Sequence, residues 1–270
     1  MPSPDITVLI PTFRRPALLR EAIDSALAQQ GVSVEIVVVD DSAEGGARDT
    51  VASIADARIT YLHNDPPSGG RPALVRNAGL HLARGRFIHF LDDDDRAVPG
   101  FYRAAVTAFE ANPNKGVVFG GIEPFGDDPK ALAHERAFFA DAGRRARVGY
   151  RTRSRRFMTA MLLFQNTVLV NSACMIRREC IQSIGGYSSD VIFNEDVEFY
   201  ARAIRRFGCV FLNRPVLQYR ILSDSLMHGR DDDRQIAESY RRMYARYRST
   251  NGAGELFALK VFSRTLLRFL

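Results

Sequence analysis

Cysteine is scarce in this chain, and what there is of it is poorly placed for chemistry. Cys174, Cys180 and Cys209 are the only three in 270 residues. Their number is odd and none forms a CxxC pair, which argues against a zinc site or a disulfide framework and fits buried thiols in a reducing cytosol. Long apolar runs are missing too. Nothing approaches the roughly 18–20 residues needed to span a bilayer; the best stretch, Phe157 to Val170, is broken by Gln165 and Asn166. The N-terminus has no basic region followed by an apolar run, so no secretory leader is expected. No GxGxxG follows an apolar run, which disfavours a dinucleotide-dependent dehydrogenase. There is no internal repeat and no low-complexity tract.

What is present describes a globular α/β chain. Hydrophobic residues make up 46% and charged residues 25%, enough for one large domain, or one domain with a tail, and against global disorder. The formal net charge is +6, which suits a phosphate-bearing ligand or an anionic membrane surface. Apolar runs at Ile6–Ile10, Val34–Val39, Ile59–Leu62, Phe87–Leu91 and Val117–Ile122 read as strands. Helical spacing is expected over Pro16–Gln30, Ala47–Ile54 and Pro72–Ala83. Strands separated by helices of this length imply a mostly parallel sheet flanked by helices, with ligands beyond the carboxyl ends of its strands. Later, Val168–Ile176 and Val210–Val216 read as strands, and Glu195–Phe207, Asp231–Tyr247 and Leu256–Leu270 as helices. Residues 126–156 read as a polar, mobile region.

Acidic residues collect at the strand ends. Asp92, Asp93, Asp94 and Asp95 follow the apolar run Phe87–Leu91 directly. Adjacent carboxylates repel unless a cation or donor relieves them, and a hard divalent ion, Mg²⁺ or Mn²⁺, is the natural partner, often shared with substrate phosphates. In an extended segment, Asp92 and Asp94 would point one way and Asp93 and Asp95 the other, one pair facing a site and the other capping a helix near Ala97; a solvated acidic turn is the plainer reading. Asp40 and Asp41 repeat the pattern after the second strand, where a helix cap would also explain them. Glu195 and Asp196 open a helix, either answering its dipole or serving as a general base.

Five segments in order resemble the family 2 glycosyltransferases: Val8 to Arg14; Val37 to Ser42; Arg76, Asn77, Ala78 and Gly79; Phe90 to Asp95; and Asn194 to Glu198. The resemblance is clear to about Phe207. It implies a GT-A nucleotide-sugar fold over residues 1–222, with a nucleotide half at about 1–122, an acceptor half at about 123–222, and a C-terminal helical extension at 223–270. It also implies roles. Pro11, Thr12 and Phe13 would border the base of the nucleotide. Asp41, or else Asp40, would accept a hydrogen bond from it, and Arg71 would lie near base or diphosphate. Asp92 and Asp93 would address the ribose or donor sugar, and Asp94 would bind the metal. Asp196 would be the catalytic base, with Glu195 supporting it or meeting the acceptor. The family is generally inverting, which matches one base and one displacement. The chain departs from many relatives where a Tyr-Arg-x-His element is expected: Tyr219, Arg220 and Ile221 are followed by Leu222. Arg220 could still meet the diphosphate, and His228 is the alternative histidine.

The implied partners are a nucleotide-sugar donor, UDP-linked by default, and a glycan or lipid-linked glycan acceptor of a bacterial cell surface. Nucleic acid is not expected, because no reading motif or aromatic interleaving accompanies the charge. The basic run Arg144, Arg145, Arg147, Arg151, Arg153, Arg155 and Arg156 is either a solvated face, an acceptor-side flap or an acidic-polymer contact. In residues 256–270, Lys260, Arg264 and Arg268 share one helix face, and Phe257, Val261, Phe262, Leu266, Leu267 and Phe269 supply an apolar remainder. That pattern fits peripheral contact at the inner face of the cell membrane, packing on the domain, or a homo-oligomer contact. The other function classes are a sugar nucleotidyltransferase, which expects a glycine-rich loop where Pro11 to Arg15 have none, and a non-catalytic nucleotide-sugar or polysaccharide-binding module.

Overall fold

The computed structural model describes residues 3–165, 170–222 and 233–266. His228 and the residues beyond Leu266 fall outside these, as do Val168 and Leu169 of the strand expected at Val168–Ile176.

The first half alternates as its apolar periodicity dictates. Strand β1 (Ile6–Thr12) is followed by helix α1 (Pro16–Leu27), β2 (Val34–Asp40), α2 (Arg48–Ile54), β3 (Ile59–His63), α3 (Pro72–Gly79) and β4 (Phe87–Phe90). Next come a two-residue strand β5 (Arg96–Ala97), α4 (Phe101–Ala111) and β6 (Val117–Phe125). The remainder is α5 (Pro129–Arg151), α6 (Arg155–Phe164), β7 (Cys174–Arg177), α7 (Arg178–Ile184), α8 (Glu195–Phe207), β8 (Cys209–Arg220), α9 (Asp233–Asn251) and α10 (Ala253–Leu266).

Among the described residues, eight strands form one sheet in the order β3-β2-β1-β4-β7-β6-β8-β5. The β3-β2-β1-β4 half is parallel, β7 runs antiparallel to β4 and β6, and β6 and β8 pair parallel again. Every residue of β2 is buried, as expected of a parallel strand covered on both faces. Side chains of β1 divide by strand parity: Ile6, Val8 and Ile10 join the core under α1 and α4, and Leu9 joins the other core with α3, α6 and α8. On the second face, Gly79 lets α3 lie flush on the sheet. A Cβ there would meet Val39 at 2.7 Å and Leu9 at 2.8 Å.

Several expectations are corrected. Residues 126–156, expected as a polar, mobile region, are mostly helix: α5 occupies 129–151 of them. Asp128 caps it by accepting the N–H groups of Lys130 and Ala131, and a narrow stripe of Phe139, Ala142, Ala146 and Gly149 is buried. Asp92–Asp95 is not extended. It turns, with the Asp95 N–H donating to the Asp92 carbonyl at 3.2 Å, so the alternating orientation does not hold. Ala97 lies in β5 and no helix begins beside it; the next helix, α4, starts at Phe101. That helix had no counterpart in the sequence reading, although Phe101, Tyr102, Ala105, Val106 and Phe109 are buried at helical spacing.

The C-terminal helices pack onto the same body. Met243, Tyr247 and Leu259 enter the second-face core, Arg205 pairs with Glu255 at 2.8 Å and Arg246 with Glu198 at 3.2 Å. Phe257, at 71% exposure, lies on the outer side of α10. Among the described residues no helix is long and apolar enough to cross a membrane.

Candidate active site

The carboxyl ends of β1, β2 and β4 meet at Thr12. Its backbone carbonyl accepts the Asp41 N–H at 2.9 Å, and its hydroxyl donates to Asp93 Oδ2 at 2.7 Å. One buried threonine thus ties both acidic strand ends into one crevice. Pro11 precedes it, and Phe13 projects from the rim at 49% exposure with the Arg14 guanidinium 5.1 Å from its ring centroid.

Asp40 and Asp41 differ in their surroundings. Asp40 is fully buried and accepts from the Ser42 N–H and hydroxyl, the Ala47 N–H and the Tyr61 hydroxyl. Burial works against its charge, yet these donors hold it below the usual carboxylate range. It braces the loop into α2. Asp41 accepts from Asn64 Nδ2 at 2.6 Å and from the N–H and hydroxyl of Ser68 at 2.8 and 2.6 Å, ordering the loop that leads to Arg71. The Arg71 guanidinium donates to the Ser189 carbonyl, bringing the 188–194 loop over the same side.

The turn after β4 concentrates negative charge. Asp93 is pushed up to about 7 by burial and by neighbouring Asp94, against the opposing hydrogen bond from Thr12 and the charge of Arg15. Asp94 pairs with Arg15 at 2.7 Å and is still raised, by burial first and Asp92 second. Asp95 is raised furthest, by burial and by Asp94 and Asp92. Its Oδ1 accepts the Arg220 N–H at 3.1 Å, but buried Oδ2 has no partner among the described residues. The Arg220 side chain donates to the Asp94 carbonyl at 2.9 Å and to Glu21, and lies 4.5 Å from the Phe125 ring centroid. It clamps the turn from outside.

Arg76 joins this turn to the late acidic pair. Only 3% exposed, it donates to Asp92 Oδ1 at 2.5 Å and to Glu195 Oε1 at 2.9 Å. With its amide assigned so that the oxygen faces the guanidinium, Asn171 completes the shell: the oxygen accepts from Arg76 Nε and Nη2 at 2.7 and 3.1 Å, and the nitrogen donates to the Tyr187 hydroxyl. Burial opposes the Arg76 charge, but Asp92 and Glu195 hold it firmly protonated. Next to Glu195, Asp196 lies in the first turn of α8 and accepts the Val197 N–H at 2.7 Å. Burial, then repulsion from Glu195, pushes it up to about 7. The Arg76–Asn77–Ala78–Gly79 segment carried the resemblance with no role attached. Its roles are physical: Arg76 bridges carboxylates, Asn77 pins Tyr187 through its backbone N–H and carbonyl at 2.8 and 2.9 Å, and Gly79 allows close packing. Ser172 was also missed. Its hydroxyl accepts the Asp92 N–H at 3.0 Å, and its carbonyl meets His89 Nε2 at 2.7 Å; burial lowers His89 to about 4, a neutral core imidazole.

The structure therefore brings together Thr12, Asp92, Asp93, Asp94, Arg76, Glu195 and Asp196, with Asp41 attached through Thr12. Among the described residues, no three His, Cys, Asp or Glu side chains converge as a self-sufficient metal cage. Asp94 is partly exposed and already meets Arg15 at 2.7 Å, and beside it a buried Asp95 oxygen has no partner among the described residues, so a cation held here would be one shared with phosphate oxygens.

Comparison with known proteins bears on the family and the fold. The sequence model described as "Glycosyl transferase family 2" matches residues 7–185. The chain is 40% identical over 108 residues to the succinoglycan biosynthesis protein ExoO of Rhizobium meliloti, covering 40% of this chain and 30% of that one. It is 36% identical over 119 residues to the GalNAc(5)-diNAcBac-PP-undecaprenol beta-1,3-glucosyltransferase of Campylobacter jejuni, covering 43% and 38%. The matches span 30% to 65% of the length of the first curated relatives. Among solved structures, S. aureus TarS 1-349 in complex with UDP-GlcNAc aligns with a TM-score of 0.69 at 16% identity, over 97% of this chain and 74% of that one. The mannosyltransferase PcManGT from Pyrobaculum calidifontis, in complex with GDP-Man and Mn²⁺, aligns at 0.67 with 17% identity, over 98% and 70%. These structural likenesses show the fold, a helix-flanked, mostly parallel sheet of GT-A type.

Proposed function

The chain belongs to glycosyl transferase family 2, and on that premise we propose that it moves a sugar from a nucleotide diphosphate, UDP by preference, to a hydroxyl of a glycan or lipid-linked glycan. The observation that carries this reading is Arg76, a buried guanidinium that draws the strand-end aspartates and the first turn of α8 into one crevice. The donor nucleotide would lie across β1 and β2, against Pro11, Thr12 and Phe13, with Asp41 beneath the base. UDP-GlcNAc bound to TarS and the lipid-linked acceptor in the name of the Campylobacter enzyme support the choice of donor and acceptor classes.

Asp196 is the base. Poised near neutrality, it takes the proton of the acceptor hydroxyl as that oxygen bonds to the anomeric carbon and the bond from that carbon to the diphosphate oxygen breaks. A single displacement inverts the anomeric centre. Glu195 keeps Arg76 in place and raises Asp196 by repulsion. Asp94 would hold a divalent cation, Mn²⁺ or Mg²⁺, whose chemistry is to neutralise the departing diphosphate; the Mn²⁺ in the PcManGT complex supports it. Acting on a lipid-linked acceptor, the protein would work peripherally at the cytoplasmic face of a membrane.

Thermal melting with UDP, GDP and dTDP, each with and without Mn²⁺, tests the donor half. Stabilisation by mass action that needs the metal and disappears in Asp94→Ala is expected. Asp196→Asn should keep nucleotide binding and lose transfer by at least about 100-fold; full transfer by that variant would remove the proposed base.

A further inference from the structure

Part of the basic run is neutralised and part is not. Arg144 and Arg145 pair with Asp141, and Arg156 pairs with Glu255. Arg153 and Arg155 do neither. They line a cavity of about 330 Å³ together with Lys115, Tyr150, Ser154 and Gly208. It opens where β6 and β8 begin, the end of the sheet opposite the carboxylate turn, because β4 and β6 both run antiparallel to β7.

The cations are drawn together there. A Cβ on Gly208 would meet Lys115 Nζ at 3.0 Å and Arg155 Cγ at 3.4 Å, so the ammonium and the arginine stem flank the same glycine. Arg153 is held with φ 54°, left-handed for a residue with a side chain. Arg155 Nη1 donates to the Arg206 carbonyl at 2.6 Å, a neutral acceptor. No Asp or Glu lines the cavity, and none pairs with these three cations among the described residues. Three cations thus gather at one opening with no carboxylate among them, and phosphate oxygens accept charge-assisted hydrogen bonds from both guanidinium and ammonium groups.

We propose that this cavity is a second anion site that takes a phosphate group, separate from the transfer site and independent of how that site works. The phosphate belongs to a soluble phosphorylated compound or to a phospholipid headgroup; the chemistry is shared, and the experiment separates the two.

The full chain is melted in EDTA without nucleotide, which keeps the metal-dependent site silent. Inorganic phosphate or pyrophosphate is titrated against chloride at equal ionic strength. Two variants are compared with the parent. Arg153→Gly removes a cation and accepts the left-handed backbone without strain, so it should fold at least as well; Lys115→Gln removes a second cation. A saturable rise in melting temperature is expected for the parent, with affinity weakened at least about tenfold in each variant. In parallel, sedimentation is measured with phosphatidylcholine vesicles with and without phosphatidylglycerol. Binding only to the anionic vesicles, lost in both variants, assigns the headgroup; a phosphate response without vesicle binding assigns a soluble phosphate. The site is refuted if neither phosphate nor anionic vesicles act beyond chloride and neutral lipid, or if both variants respond as the parent does.

Discussion

Replacing Arg76 by Met should destabilise the fold by about 3 kcal/mol. Methionine roughly keeps the apolar stem and removes only the guanidinium. What remains is Asp92 and Glu195 without their shared cation, and an Asn171 oxygen without its donors. Breaking a buried ion pair by removing one partner costs about 3–5 kcal/mol. The lower end applies because the Asp92 side chain is 29% exposed and water recovers part of the loss. With an unfolding entropy of about 2.1 cal/mol/K per residue, a domain of 270 residues should lose about 5 °C in melting temperature. Urea unfolding at pH 7.5 measures the free energy directly. A second variant isolates the cause: Arg76→Met with Glu195→Gln neutralises one stranded carboxylate and should recover about 1 kcal/mol or more over the single change. A single variant within about 1 kcal/mol of the parent, or a double variant no more stable than the single one, would show that Arg76 does not hold the two acidic segments together.

Three other outcomes follow from the structure. With Asp196 near 7 in the folded protein, kcat/KM should fall about tenfold per pH unit below that point and level off above it; a flat profile from pH 5.5 to 8 would rule out its ionisation as the controlling step. Since this pKa is raised, the residue's contribution to stability is fully present below the unfolded value near 4 and lost as pH rises through about 7, so Asp196→Asn should flatten that part of the stability profile measured by urea unfolding. Gly79→Ala places a methyl within 2.8 Å of Leu9 and 2.7 Å of Val39, an overpacking that should cost about 1–3 kcal/mol by the same measurement; a neutral result would mean that α3 can move off the sheet freely.

The strands and first helices were legible because their burial is written in continuous apolar runs, as in Val34 to Val39, and the acidic strand ends stood out because nothing structural requires four aspartates in a row. α5 was not legible. Its buried stripe is Phe139 followed by the small residues Ala142, Ala146 and Gly149 among arginines, so packing against α6 and β6 defines the helix more than hydrophobicity does. The turn at Asp92–Asp95 was misread because a short polar segment gives no periodicity to follow. Arg76 could be quoted from the sequence but not assigned, since its partners Asp92 and Glu195 lie 16 and 119 residues away and only the sheet brings them together.

Asp40 and Asp95 show why the carboxylates of this sheet are not all alike. Both sit at strand ends, and both are buried. Asp40 has four donors around it and is held below the usual range, a carboxylate fully used in bracing a loop. Asp95 has one backbone N–H and the Ser172 side chain as donors, an orphaned oxygen, and burial and two anionic neighbours that raise it. A sequence selected for stability alone would relieve such crowding with donors, as it does at Asp40. Arg15 and Arg76 offset part of the charge in this turn, and the crowding extends through Arg76 to Glu195 and Asp196, in a chain whose net charge is positive. A cation arriving with a diphosphate would supply what that turn is missing, and the apo protein should therefore be stabilised more by Mn²⁺ with UDP than by the sum of either alone.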